Sequence, residues 1–144
     1  MKLIKHHWEL DVYKLAMEMS GAVFQLSKSF PKEETYSLTD QIRRSSRSVS
    51  VQLAEAWRRR KYEAVFVNKL NEAEGEAAET QTWLEHAVQC GYAPVPKARE
   101  IHRLCDRILG KLVTMDNNPE AWVLNKSRVA HPLKIGRASC RERV

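Results

Sequence analysis

The chain has 144 residues, the size of one ordinary domain, and can bury an apolar core without disulfides or metals. Hydrophobic residues make up 43% and charged residues 29%, with five Gly and five Pro, which is typical of a globular helical protein and excludes a fibrous or largely disordered one. The formal net charge of +6 favours contact with polyanions without identifying one.

The expected location of the protein is the cytoplasm. No apolar run approaches the roughly 20 residues needed to span a bilayer. The first ten residues, MKLIKHHWEL, lack the apolar core and cleavage site of a secretory signal. The three cysteines, Cys90, Cys105 and Cys140, are too few and too irregularly spaced for a disulfide framework, which fits a reducing compartment.

Helical periodicity begins near the N-terminus. Apolar residues recur every three or four positions and predict a first helix over about 9–29, which Pro31 ends. Ser37 and Asp40 then form an S-x-x-D capping box that predicts a second helix over about 38–59. The predicted core positions of the two helices are Trp8, Val12, Leu15, Met19, Ala22, Leu26 and Phe30, then Leu38, Ile42, Ser45, Val49, Leu53 and Ala56.

The third periodic segment is the longest and ends near Gly91, a natural helix stop. Its narrow seam consists of Phe66, Leu70, Ala73, Ala77, Thr80, Leu84 and Ala87. A fourth helix carries Ile101, Leu104, Ile108, Leu112 and Met115, and the sequence DNNP at 116–119 ends it. Because the connections are short and no strand pattern competes, we expect an all-α, antiparallel up-down-up-down four-helix bundle.

The last ten residues, 135–144, continue no pattern and resemble translated sequencing-adapter sequence. The natural chain is therefore expected to end near Lys134. The predicted organisation is a four-helix bundle domain over 1–119, a C-terminal extension over 120–134 and a non-native tail over 135–144.

Charge is unevenly distributed between the second and third helices. The stretch QIRRSSRSVSVQLAEAWRRRK is strongly basic, whereas residues 62–90 contain six glutamates and one lysine. At about 100° per residue, Arg43, Arg47 and Arg58 form a stripe beside the core face. The candidate phosphate-binding residues are Arg43, Arg44, Arg47, Arg58, Arg59, Arg60 and Lys61.

Two alternatives to phosphate binding remain open. The arginines could pair with glutamates of the third helix, in the same subunit or a neighbour, or be solvated, and no aromatic residue alternates with them as a base-stacking platform would require. Val51 and Ala54, with small Ser48 and Ser50, place apolar surface on the exposed side, which favours self-association.

Catalytic and metal chemistry are not predicted. His86, Cys90, His102 and Cys105 have residue types that bind zinc, but Cys105 falls on the core stripe while His86 lies off the seam. No histidine follows a glutamate by three residues, as a di-iron bundle requires. We therefore expect no enzymatic activity, no metal and no cofactor.

Two segments of the sequence are FPKEETYSLTDQIRRSSRSVSVQLAEAWRRR and FVNKLNEAEGEAAETQTWLEHAVQCGY. Through these segments the chain resembles the bacterial 23S rRNA intervening-sequence proteins. The resemblance implies an antiparallel four-helix bundle assembled as a ring-shaped homopentamer. A related branch supplies accessory proteins to reverse transcriptases of diversity-generating retroelements. The family pattern I-P-x-N-I-A-E-G meets VSVQLAEA here, with Ser50, Gln52 and Ala56 replacing Pro, Asn and Gly.

Residues and resemblance together predict a non-enzymatic homo-oligomer that binds RNA or DNA phosphates through the basic second helix, and the resemblance implies an accessory role to a nucleic-acid enzyme such as a reverse transcriptase. The rival prediction is an assembly scaffold, in which the arginines pair with the acidic third helix of a neighbouring subunit.

Overall fold

The computed structural model describes residues 3–124. The predicted tail, Cys140 and most of the predicted C-terminal extension lie outside the described residues. Four helices form the described part, and within it there is no strand, so the all-α prediction is confirmed. They are α1 (Asp11–Ser27), α2 (Leu38–Arg58), α3 (Glu63–Gln89) and α4 (Val95–Asn117), with short 3-10 helices at His7–Glu9, Lys32–Glu34 and Pro119–Ala121.

Each helix packs against the next one in the chain, and α4 also packs against α1. Contacts across α2 and α3 run in opposite directions, because Ser45 meets Thr80 whereas the later Glu55 meets the earlier Lys69. Likewise, Gln81 of α3 contacts Asp106 of α4, and the later Glu85 contacts the earlier His102. In each of these two pairs the helices are therefore antiparallel. None of the helices formed by residues 3–124 is long and apolar enough to cross a membrane.

The core lies between the four helices. All seven predicted seam residues of α3 are buried, and so are all six predicted core positions of α2. The core face of α1 differs from the prediction: Ala16 and Val23 are fully buried, whereas Ala22 and Leu26 are only half-buried. Trp8 is 55% exposed because it precedes α1 in a 3-10 turn and stacks on His6.

The start of α2 is capped differently from the prediction. Ser37 occupies the N-cap position but its side chain makes no capping hydrogen bond, and Asp40 pairs with Arg44 instead. Glu34 replaces them, since its Oε1 accepts a hydrogen bond from the Leu38 backbone N–H at 3.2 Å. The predicted capping box is therefore wrong, because the Glu34 carboxylate of the preceding 3-10 turn accepts from one of the free backbone donors at the start of α2.

The ends of α3 and α4 are fixed by backbone contacts. Gly91 adopts a φ of 78°, and the N–H of Tyr92 returns to the carbonyl of Ala87 at 2.8 Å, which terminates α3 as predicted. After α4 the chain turns back towards the start of α3. Trp122 contacts Trp57 edge to face, and the N–H of Leu124 donates to the carbonyl of Arg60 at 3.0 Å.

Candidate nucleic-acid interface

The basic stripe lies on the outer surface of α2. The helix buries Ile42, Val49 and Leu53 against its neighbours, which fixes the rotation of the helix about its axis. Arg47 and Arg58 are consequently exposed and Arg43 is half-buried at the boundary with α1. The seven candidate residues do not form one continuous site, however, because their side chains have different partners.

Arg43 and Arg47 meet around Phe24 of α1. The guanidinium of Arg43 lies 4.8 Å from the centroid of the Phe24 ring and that of Arg47 lies 5.8 Å from it. The ammonium of Lys28 lies 5.0 Å from the same centroid. The Arg43 Nε also donates a 2.7 Å hydrogen bond to the buried hydroxyl of Ser27. We call Phe24, Lys28, Arg43 and Arg47 the Phe24 cluster.

Within α2 no aromatic residue alternates with the arginines, but the Phe24 cluster places one beside them. The aromatic ring comes from the neighbouring helix rather than from α2, so alternation within one helix could not reveal it. The negative face of an aromatic ring attracts cations, and Phe24 therefore helps to hold three positive side chains together. The signal in the sequence was Phe24 and Lys28, four residues apart and off the predicted core face of α1.

Arg44 belongs to a different surface. Its Nε bonds to Asp40 at 2.9 Å, one turn earlier on α2, and its side chain is 74% exposed. An exposed pair of this kind contributes little to stability and is easily exchanged for another anion.

The basic residues at the end of α2 differ in how far they are packed against other side chains. Arg60 stacks over Trp57 at 3.5 Å and its Nε donates to the Trp57 carbonyl at 2.8 Å. Burial, helped by the nearby charge of Arg58, lowers the pKa of Arg60. Arg58 and Arg59 are exposed, and the Lys61 ammonium lies 5.9 Å from the ring of Tyr62. Arg60 is thus mainly a packing residue.

The Phe24 cluster and the exposed arginines at the end of α2 are separate along the helix. Arg47 and Arg58 are eleven positions apart, or about 16 Å along the axis at 1.5 Å per residue. A ligand that contacts both must therefore be elongated.

The acidic residues of α3 do not pair with the arginines of α2 in the described residues. Lys69 contacts Glu55 at 3.0 Å and Glu72 at 3.4 Å, and the hydrogen bond that Lys69 donates to Glu55 raises the pKa of Lys69. Burial raises the pKa of Glu76, with the charge of Glu79 adding to it. Within residues 3–124, no ion pair joins an arginine of α2 to a glutamate of α3. Pairing of the stripe with α3 of the same subunit is therefore not observed.

The His and Cys residues considered as metal ligands have separate partners. The Cys105 thiol is buried, and this burial raises its pKa to about 12. His102 faces Glu85, with its Nε2 3.4 Å from the carboxylate, while His86 packs against Trp83. Among the described residues, no three His, Cys, Asp or Glu side chains are grouped as a metal site would require.

Comparison with known proteins bears on the identity of the bundle. The family model described as 23S rRNA-intervening sequence protein matches residues 8–114 of the chain. The chain belongs to this family. The match includes α1, α2 and α3 and nearly all of α4, so the Phe24 cluster and the exposed arginines of α2 lie inside the region that defines the 23S rRNA-intervening sequence proteins.

A solved relative supports the same assignment. It is a protein of unknown function from the S23 ribosomal protein family of Bacteroides thetaiotaomicron, 28% identical to this chain, with a TM-score of 0.68. The alignment covers 74% of this chain and 96% of the relative. No curated protein matches the chain significantly. The fold of this 23S rRNA-intervening sequence protein is therefore shared with a relative whose own function is unknown.

Proposed function

We propose that this protein is a non-enzymatic, homo-oligomeric bundle that binds RNA through the phosphate backbone, with the Phe24 cluster as the main contact. The observation that carries the proposal is the convergence of Lys28, Arg43 and Arg47 on one aromatic ring. Within residues 3–124 none of these three cations forms an ion pair. Three clustered cations without a counter-charge are a favourable site for a polyanion.

The chemistry of the cluster suits phosphate. An arginine guanidinium binds phosphate oxygens in a bidentate manner, and neutralised phosphates release counterions. Because such contacts carry no sequence information, the expected binding shows little sequence preference and falls steeply with salt. The Phe24 ring adds a π-face on which an unpaired base can stack if a cation moves aside, which favours single-stranded regions of RNA.

A pair of matched variants tests the proposal. The variant Arg43→Gln/Arg47→Gln removes two charges from the cluster, and Lys5→Gln/Lys32→Gln removes two exposed charges elsewhere. RNA affinity is measured by fluorescence anisotropy over a range of salt concentrations. Loss of two contacts to single-stranded RNA should lower the slope of log affinity against log salt by about 1.4.

The control variant should keep the salt slope of the unchanged protein. Circular dichroism checks that both variants remain helical, and Arg47→Gln/Arg58→Gln repeats the test without disturbing the bond from Arg43 to Ser27. A cluster variant that binds RNA with unchanged slope would contradict the proposal.

A second candidate function is assembly through the α2 surface. Val51 is 51% exposed and lies beside half-buried Ala54, which offers an apolar patch to another copy of the chain. In this function the arginines pair with the acidic α3 of the neighbour in a homopentamer. Light scattering distinguishes the two: a scaffold dissociates as salt rises and ignores RNA, whereas an RNA-binding oligomer keeps its mass and releases RNA.

The cellular role that we propose is accessory to a nucleic-acid enzyme in the cytoplasm, such as a reverse transcriptase. It rests on the family resemblance and on the absence of a predicted catalytic group in the sequence. Co-purification of the enzyme with the unchanged protein, and its loss with Arg43→Gln/Arg47→Gln, would support a role in which RNA joins the two.

A further inference from the structure

A second row of cations runs along the outside of α4. Four residues recur at intervals of four and are all exposed: Arg99, Arg103, Arg107 and Lys111. We call them the α4 row. Side chains four apart on a helix are neighbours, with their backbone positions about 6 Å apart along the axis. The row therefore presents a regular series of positive charges.

The acidic residues of α4 do not neutralise the row. Asp106 accepts a 2.8 Å hydrogen bond from Gln81 of α3, and its other oxygen lies 3.9 Å from His102. Glu100 faces Lys97 at 4.0 Å. Across the described residues, no ion pair involves any member of the row. Like charges four apart destabilise a helix, so the row opposes folding unless an anion binds it.

The position of the row follows from the residues beside it. His102 and Asp106 contact α3, and Arg103 and Arg107 are each the next residue, turned a further 100° or so away from that interface. Four residues exceed one helical turn by about 40°, so the row drifts around α4 with each step. The drift carries it from the outer surface towards α1, the other neighbour of α4.

The α4 row and the Phe24 cluster consequently border α1 from its two sides. The cluster lies at the boundary between α1 and α2, and the row approaches α1 from α4. The acidic α3 packs against α2 and α4, on the other side of the bundle. The positive surface of the protein is thus wider than α2 and continues on α4, while α1 between them exposes Lys14 together with the acidic Asp11 and Glu18.

We propose that the α4 row is a second contact for the RNA backbone, so that one RNA strand crosses α1 and is held by the row and by the Phe24 cluster. This proposal rests on the proposed function, because it takes the same RNA as the ligand. Charge complementarity identifies the ligand: a regular row of cations without counter-charge fits a chain of phosphates, whose own charges are regularly spaced.

The test uses the full chain and a uridine homopolymer of about 20 nucleotides, longer than the sites of about 4–16 nucleotides that single domains of other folds occupy. The variant Arg103→Gln/Arg107→Gln is compared with Lys5→Gln/Lys32→Gln, which has the same net charge. The row variant should lose about 1.4 from the salt slope, as expected for two phosphate contacts. The control should keep the slope of the unchanged protein.

The outcomes separate this proposal from the proposed function. If Arg43→Gln/Arg47→Gln lowers the slope but the row variant behaves as the control, the row is not an RNA contact and the proposed function stands. If the unchanged protein does not bind the homopolymer at any salt concentration, both proposals fail. If the row variant changes the mass of the particle and leaves the salt slope intact, the row serves assembly, which also overturns the proposal.

A shorter probe shows whether one strand joins the two sites. A homopolymer of about 4 nucleotides, at the lower end of known site sizes, is too short to span both. The short probe can occupy only one of the two sites at a time, so either double variant should lower its affinity far less than that of the long strand. Equal losses of affinity for the two probes in both variants would contradict a strand that crosses α1.

Discussion

The hydroxyl of Tyr92 donates a 2.8 Å hydrogen bond to Oε2 of Glu34, whose Oε1 accepts the backbone N–H of Leu38. One carboxylate therefore caps α2 and also joins the connection before α2 to the turn after α3. The hydrogen bonds from Ser37, Tyr92 and Leu38 lower the pKa of Glu34, and the bond to Glu34 raises the pKa of Tyr92 to about 12.

Replacement of Glu34 by Gln should destabilise the bundle in a pH-dependent way. A carboxyl whose pKa is lowered by folding stabilises the protein above its ordinary pKa of 4.5, and this stabilisation disappears as the pH falls through the lowered value. Thermal unfolding at pH 7 should therefore show a lower Tm for Glu34→Gln, and the difference should shrink as the pH falls below 4.5. Tyr92→Phe should reproduce part of the loss at pH 7. A difference that grows in acid would contradict the capping role.

The buried hydrogen bond between Ser45 and Thr80 should contribute to the α2–α3 interface. Their hydroxyl oxygens are 2.8 Å apart, and both residues are almost fully buried. Ser45→Ala and Thr80→Val should each lower the free energy of unfolding by about 1 kcal/mol. The double variant should cost less than the sum of the two. Each single variant leaves the remaining hydroxyl without its partner, whereas the double variant removes both hydroxyls. Urea denaturation of the four proteins measures this, and additive costs would show that the two hydroxyls are independent.

Glu74 should make the protein less stable as the pH rises. Its Oε2 is buried without a hydrogen-bond partner, and burial together with the Asp116 carboxyl raises the pKa of Glu74 to about 7. Since ionisation is easier in the unfolded chain, stability should fall between about pH 4.5 and pH 7. Glu74→Gln should be more stable than the unchanged protein at pH 8 and should flatten this profile. The exposed control Glu100→Gln should leave the profile unchanged.

Gly75 lies in the middle of α3 and weakens the helix without any packing reason in one subunit. A methyl group at this position would meet no atom within 4 Å. Gly75→Ala should therefore raise the free energy of unfolding by about 0.5–1 kcal/mol, and Ala78→Gly on the same exposed surface should lower it similarly. If Gly75→Ala instead reduces the mass measured by light scattering, another subunit covers this surface.

Arg58 and Arg60 should differ in what their loss affects. Arg60 stacks on Trp57, so Arg60→Gln should lower the free energy of unfolding by about 1 kcal/mol and have little effect on RNA affinity. Arg58 is exposed, so Arg58→Gln should weaken RNA binding and leave the Tm unchanged. Both properties are measured on both variants, and an equal loss of RNA affinity would show that Arg60 also reaches the ligand.

The helices could be predicted from the sequence wherever the apolar spacing was unbroken. The seam of α3 is the clearest case, because its seven residues repeat by four and three and all become buried. The face of α1 was predicted less well. Large residues such as Trp8 and Leu26 suggested one face, but it is the small Ala16 that is fully buried.

The basic stripe was predictable because the rotation of α2 follows from its own core positions. Its association with Phe24 was not, because that contact depends on how α1 and α2 align along their axes, which periodicity within one helix does not determine. The stacking of Arg60 on Trp57 was also missed, since Arg60 lies beyond the end of α2, where helical spacing no longer applies.

The residues after α4 fold back onto the bundle, and this determines where the folded domain ends. The family match stops at residue 114, yet Met115 and Val123 are buried and Trp122 packs against Trp57. Together with the bond from Leu124 to Arg60, these contacts fasten the last described residues over the turn between α2 and α3. A fragment cut at the limit of sequence recognition would therefore expose the indole of Trp57 and lose part of its own core.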